Sequence, residues 1–401
     1  MRDESQNRMS QPTKPTAVDR ISDLSDEILC HILSFLPTKQ AFTTILLSKR
    51  WNLLCYSLTT LSFDDETIPI NGDKHNGFFR FIDTLMLSPH VTNQSLKTFR
   101  LKFRCGISDS DFYAWIEAAK RRRIEEFQLE SKYFYYTVNP TFLISQTLVV
   151  LKLEQLLFKY EIFCADLPLL KTLHLKQVRF EYQNDIIKLL NSSPNLEDLH
   201  ASFPIYISEK NIEVQEFKSL FLSKLVRADI RANNIYPIDV PFNAIHNVEF
   251  LRLHRLQVPS LQMNTKEIFK RSPVFQNLTH AELWFCGFFD GWDIVVEFLQ
   301  HCPKLQILYM TKWNTSLSKD WVCPILTPEC VSSHLRSCTM VHFEGSKDDL
   351  GFATYILQNA RVLEVMKINS ASSSSEIPKR QIREELSTCP RMSPGCKFSF
   401  E

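Results

Sequence analysis

The chain is expected to be an α/β protein, with a short helical segment near the N terminus followed by a long array of strand-bearing repeats. Two observations carry this. Residues Asp23 to Leu54 place apolar side chains at helical spacing, and a six-residue L-x-x-L-x-L signature then recurs through the middle of the chain at an interval of about 26 residues. A third, the scarcity of glycine, narrows the chemistry: eight glycines in 401 residues form no G-x-G and no G-x-x-x-x-G-K loop. Phosphate cradles need several backbone N–H groups on glycine-permitted dihedrals, so nucleotide binding of the usual kinds is not expected.

Taken in order, residues 1–19 are polar and proline-containing and read as a disordered lead-in without a signal peptide. Ser25 is a good N-cap, and Asp26 and Glu27 put negative charge in a first helical turn, where the helix dipole favours it. Ile28, Leu29, Ile32, Leu33 and Leu36 follow as one broad apolar face, and Pro37 ends the helix. A second helical segment carries Ala41, Ile45, Leu46, Trp51, Leu53 and Leu54, with Ser48-Lys49-Arg50 between. Two helices this short cannot bury that much apolar surface on each other. Each Leu or Ile left in water forgoes roughly 1.5–3 kcal/mol, so a partner or the rest of the chain must cover the surplus.

The repeats begin at Leu96, Ile124, Leu148, Leu170, Leu196, Leu225, Val248, Leu278 and Leu305, with an atypical first unit at Leu58. Their spacing falls within the 20–29 residue range of leucine-rich repeats, with one interval of 30 just outside it. Turn signals (Pro168, Pro194, Pro303) precede several units, and helical return segments such as "WDIVVEFLQHC" follow others. In such a solenoid each unit offers one strand with its leucines facing in, and stacked neighbours share the core. An ordinary α/β domain with leucine-rich strands is the competing reading, but nine matches at a bounded period exceed it.

The opening segment resembles the F-box motif in the form found ahead of leucine-rich repeats in flowering plants. Leu24, Asp26-Glu27-Ile28-Leu29, Ile32-Leu33-Ser34, Leu36-Pro37-Thr38-Lys39, Ala41 and Leu47-Ser48-Lys49-Arg50-Trp51 fall where that motif has them, and "SFDD" at 62–65 is similar to its exit. Ser25 stands where the family has proline, and Cys55 where a second tryptophan is usual. The C-terminal end, 328–345, 353–368 and 383–401, resembles the FBD domain. The resemblance implies a domain order of F-box (20–57), leucine-rich repeats (58–320) and an α+β FBD domain (321–401). It also implies a non-catalytic substrate-receptor subunit of a Skp–cullin–F-box ubiquitin ligase. The F-box would bind a Skp-type adaptor, and through it a cullin–RING ligase, by Leu24, Ile28, Ile32, Leu33, Leu36, Pro37, Trp51 and Leu54. Inward packing of Trp51 and Leu54 is the competing expectation, because large aromatics more often lie in a core. A repeat-based interaction module that engages no ligase is the alternative function.

For the unknown protein substrate the outward strand positions are the expected site: Arg227, Arg252, Trp284 and Tyr309 foremost, with Arg100, Lys102, Lys152, His174 and Arg231 on the same face. Extended sheets are the surfaces solenoids bind with, and tryptophan and tyrosine are common anchors. His174, His200, His254 and His280 share these positions and read as surface polar residues, with His174 and His200 about one strand spacing apart. No metal site, cofactor or catalytic residue is expected. The cysteines lack the two-to-four spacing of zinc ligand pairs, so Cys323, Cys330, Cys338, Cys389 and Cys396 read as free thiols. "KRRR" at 120–123 reads as a solvated return segment rather than a nucleic-acid patch, because 46 basic and 45 acidic residues leave a net charge of +1. No apolar run spans a membrane, since Phe142–Phe163 is interrupted by Lys152, Glu154, Gln155 and Lys159. An intracellular location, nucleus or cytoplasm, is expected.

Overall fold

The computed structural model describes residues 20–69, 73–88, 95–104, 106–182, 185–203, 220, 222–232, 242–256, 269–270, 272–289, 291–317, 321–371 and 379–401; the lead-in expected at 1–19 lies outside them. Two compact units result, Met1–Thr60 and Leu61–Glu401.

The first unit is helical. Ser25 caps α1 (Asp26–Ser34), with its side chain accepting from the Ile28 N–H at 3.5 Å. Pro37, at φ −54°, opens α2 (Thr38–Thr43), which tightens into a 3-10 turn over Thr44–Leu46. The second helical segment of the sequence reading is therefore two helices. Ser48 is extended (φ −169°, ψ 167°), breaks the run and starts α3 (Lys49–Tyr56).

The second unit is built on a thirteen-stranded sheet. In chain order the strands are β1 (Thr60–Asp64), β2 (Thr98–Phe103), β3 (Glu126–Ser131), β4 (Tyr136–Thr137), β5 (Val150–Glu154), β6 (Leu156–Phe158), β7 (Thr172–Lys176), β8 (Arg179–Phe180), β9 (Asp198–Phe203), β10 (Arg227–Ala232), β11 (Phe250–Leu256), β12 (His280–Phe289), β13 (Ile307–Leu317), β14 (Ser337–Phe343), β15 (Val365–Ser370) and β16 (Lys397–Phe400). The small strands β4, β6 and β8 form a sheet of their own, which the sequence did not announce. The others lie side by side in chain order, and from β2 onward every pair is parallel.

Each signature leucine begins a unit two residues before its strand. From Leu170 onward its N–H donates to a carbonyl three residues back in the same tight turn: Leu170 to Leu167, Leu196 to Ser193, Leu225 to Leu222, Val248 to Ile245, Leu278 to Phe275 and Leu305 to Cys302. The signature triplets are buried throughout, from Leu96, Phe99 and Leu101 to Leu305, Leu308 and Met310. Burying such triplets at about 25 cal/mol per Å² of apolar surface is what holds neighbouring units together.

The same geometry continues where the sequence reading starts a separate domain. Leu335, Cys338 and Met340, then Leu363, Met366 and Ile368, occupy the buried positions of β14 and β15. Strands β13 and β14, on either side of residue 320, pair in parallel with Leu308 opposite Cys338. Cysteine and methionine fill the slots that leucine fills earlier, so a search for leucine passes over them.

Candidate functional site

In the helical unit the broad apolar face of α1 divides into two stripes. Leu29 and Leu33, one turn apart, are buried, whereas Ile28, Ile32 and Leu36 are exposed, as are Phe35 and Pro37. Leu24 is half-buried, and Trp51 and Leu54 are buried. Of the eight expected docking residues, Leu33, Trp51 and Leu54 are thus inside, leaving Ile28, Ile32, Leu36 and Pro37 at the surface with Leu24 partly so. The reason is the i, i+4 spacing: Leu29 and Leu33 turn to one side of the helix and Ile28 and Ile32 lie 100° away. Exposed apolar side chains outside the eight expected docking residues are more prominent, with Phe35 74%, Leu46 89% and Leu53 72% exposed.

Two polar clamps hold this unit in shape. Arg50 on α3 donates from Nε to Asp26 Oδ1 (2.8 Å), from Nη1 to the Ser22 carbonyl (2.8 Å) and from Nη2 to the Leu24 carbonyl (2.6 Å), tying α3 to the start of α1. Cys55, in place of a usual tryptophan, is buried between helices. Its thiol donates to the Ala41 carbonyl at 3.1 Å and lies 3.5 Å from Thr44 Oγ1. Burial, with Thr44 opposing, pushes this thiol up.

The outward face of the main sheet carries rows of side chains in strand register. One row runs Arg100, Gln128, Lys152, His174, His200, Asp229, Arg252, Glu282, Tyr309 and Thr339. Its centre is Asp229, a buried carboxylate. His200 Nδ1 lies 3.2 Å from its Oδ2, Arg252 Nη1 donates to Oδ2 at 2.9 Å, and His254 Nε2 lies 3.2 Å from Oδ1. Burial alone would raise the Asp229 carboxyl, but the hydrogen bonds from His200, His254 and Arg252 outweigh it and hold the group far below the carboxylate range. Arg252 spans to Glu282 in a two-pronged pair (2.6 and 2.8 Å), and this holds Glu282 low against its own burial. His280, 3.4 Å from Glu282, is pulled down by burial.

The expected substrate residues are therefore partly joined. Arg252 is engaged by two carboxylates; Trp284 and Tyr309 are half-buried with ring centres 6.0 Å apart, and Trp284 lies tilted against His254, ring centres 4.8 Å apart. Arg227, exposed, lies over the Phe250 ring at 3.7 Å. His174 and His200 face each other at 5.4 Å, as their repeat positions require, whereas His254 is buried, which its place in the repeat did not reveal. Asp229 was missed too. Its signal was an aspartate at the outward position next to His200 in the neighbouring unit, a juxtaposition visible only once the repeat register is known.

Elsewhere, burial raises Cys330 and Cys338 to about 12, so neither is poised as a thiolate. The "KRRR" run is not one surface patch: Arg122 is buried and lowered to about 10 by desolvation, and Lys120 pairs with Glu117. Among the described residues no helix is long and apolar enough to cross a membrane, and no three His, Cys, Asp or Glu side chains are grouped to hold a metal ion.

A helical unit with wet apolar faces and a parallel-sheet body with a polar face define a two-part chain. An F-box domain family model matches residues 21–62, and an FBD model matches residues 324–368. An FBD-associated F-box protein of Arabidopsis thaliana is 30% identical, over 96% of this chain and 100% of its own length. An F-box/FBD/LRR-repeat protein of the same plant is 29% identical over 96% of this chain and 100% of its own length, and a second such protein is 27% identical over 96% and 99%. The chain belongs to this FBD-associated F-box family.

Proposed function

We propose that the chain is a non-catalytic substrate-receptor subunit of a Skp–cullin–F-box ubiquitin ligase. Residues 20–57 bind a Skp-type adaptor, 58–320 form a leucine-rich-repeat solenoid that binds a protein substrate, and the FBD region, 321–401, completes that solenoid. The observation that carries the reading is the exposed apolar surface of α1 (Ile28, Ile32) and of the residues just after it (Phe35, Leu36), with Leu46 and Leu53, within the stretch that matches the F-box model. Helical segments that leave anchors wet are suited to laying them in a partner's apolar groove. The chain-order parallel strands support the solenoid, whose outward face is the natural substrate surface. The receptor's part in the chemistry is proximity, holding a substrate lysine near a charged conjugating enzyme. No side chain of this protein need touch the bond being made. The reading places its work inside the cell, in nucleus or cytoplasm.

The test is binding to a purified Skp-type adaptor by the wild type and by Ile32→Asp/Leu46→Asp, both exposed positions. Wild-type binding that weakens at least tenfold in the variant, about 1.4 kcal/mol, supports the reading. A folded wild type that binds no adaptor overturns it and leaves a repeat-based interaction module.

A further inference from the structure

We infer that the outward sheet face between β5 and β10 docks an acidic, extended segment of a protein partner, through Lys152 and Arg231 with the facing imidazoles His174 and His200. The inference rests on the substrate-receptor reading and gives the substrate a chemical class.

Most carboxylates on this face are paired with cations of the protein itself. Glu126 is held by Arg100 (3.1 Å), Glu130 by Lys102 (3.4 Å) and Glu154 by Lys176 (2.6 Å), while Asp229 and Glu282 share Arg252. Asp198 has His174 at 4.0 Å. The cations are not used up in the same way. Among the described residues, Lys152 and Arg231 make no ion pair, and Arg227 makes only its contact with the Phe250 ring. Lys152, His174 and His200 are consecutive in register, and Arg231 stands opposite Ser202, two residues beyond His200 on the adjacent strand. Among the described residues, the face thus carries two cations without a carboxylate partner, Lys152 and Arg231, at the two sides of a strip three strand spacings wide.

Width selects the ligand. Three spacings of about 4.8 Å and the two-residue offset along the strand put Lys152 and Arg231 about 16 Å apart, within a side chain's reach of four residues of an extended chain at about 3.4 Å each. Acidic side chains four apart in an extended segment point the same way, so one can meet Lys152 while the other meets Arg231. A nucleic-acid backbone suits the strip less well, since its closely spaced phosphates would also run over Asp198 and Asp229.

The experiment uses the full chain and a fluorescein-labelled fifteen-residue Gly/Ser peptide with Glu at every fourth position, read by anisotropy at low ionic strength. A glutamine version, a fifteen-nucleotide oligo-dT and adaptor binding are measured alongside. The expected result is binding of the glutamate peptide alone, weakened by salt. Lys152→Glu and Arg231→Glu should each weaken it about fivefold, with Arg380→Glu, whose side chain is 90% exposed on the helix Lys379–Thr388, unchanged. Absence of glutamate-peptide binding by protein that still binds adaptor overturns the inference while sparing the ligase reading. Preferential binding of oligo-dT, or an equal loss in Arg380→Glu, overturns it as well. Peptide binding without adaptor binding upholds it and sinks the ligase reading instead.

Discussion

Replacing Lys312 by methionine should be among the most destabilising single changes in the sheet unit. Lys312, on β13, is 2% exposed, and its Nζ lies 2.6 Å from Oδ1 of Asp349, which is 0% exposed. Asp349 sits in the first turn of helix Lys347–Asn359, where its N–H donates to Ser346 Oγ at 3.2 Å. Its carboxylate also accepts from Trp292 Nε1 (3.1 Å) and from the Glu344 N–H (3.2 Å). Lys312→Met keeps the apolar stem and leaves those two donors, but strands a buried charge. Breaking one side of a buried pair costs about 3–5 kcal/mol, and the remaining donors put this case near 3. Over the roughly 340 residues of this unit, an unfolding entropy of about 2.1 cal/mol/K per residue converts 3 kcal/mol into a melting shift of about 4 °C. Guanidinium titrations of Lys312→Met, Asp349→Asn and the double variant measure this directly. The double variant should lose at least about 2 kcal/mol less than the sum of the singles, because the second change removes the stranded partner. Additive losses, or a Lys312→Met cost below about 1 kcal/mol, would refute the reasoning.

The helix holding Asp349 offers a second test. A Cβ on Gly351 would sit 2.6 Å from Trp321 Cδ1, so Gly351→Ala should destabilise by about 1–3 kcal/mol despite alanine's better helix propensity, and trimming the ring with Trp321→Leu should reverse the sign. If Gly351→Ala melts higher in the wild-type background, the contact does not constrain it. Acid should destabilise the sheet unit in two stages. His280 has its folded value lowered by burial, so the unfolded chain binds its proton first and stability falls as pH drops below about 6.5. Asp229 and Glu282 are held low in the fold, so their contribution is present above the unfolded value near 4 and drains away below it. Denaturation midpoints from pH 8 to 3 report both stages, and Asp229→Asn should flatten the lower one. Midpoints that rise on acidification would contradict the signs.

Much of the chain was legible from spacing alone. The nine signature starts each stand two residues ahead of a strand, because a strand with one buried face must alternate and a helical return must bury its own stripe. Ser25 as a cap and the turns announced by Pro168, Pro194 and Pro303 were readable for the same local reason. Two things misled. The breadth of the apolar face on α1 hid the fact that Leu33 turns inward while Ile32 does not, since one sequence stripe served both a core and a surface. The exchange of leucine for Cys338, Met340 and Met366 hid the continuity of the sheet beyond residue 320, since those side chains fill the same volume without carrying the same letter.

What the sequence determined by itself is local: which residues start helices, which alternate into strands, and at what interval the units repeat. These depend on neighbours within one turn or one strand. Tertiary structure decided what depends on neighbours a whole unit away. Asp229 becomes a buried anion only because His200, Arg252 and His254 reach it from the strands on either side, and Lys312 becomes the partner of Asp349 only when β13 lies beneath that helix. Charges 23 to 37 residues apart in sequence meet at under 3 Å in the fold, and nothing in their local context sets that distance.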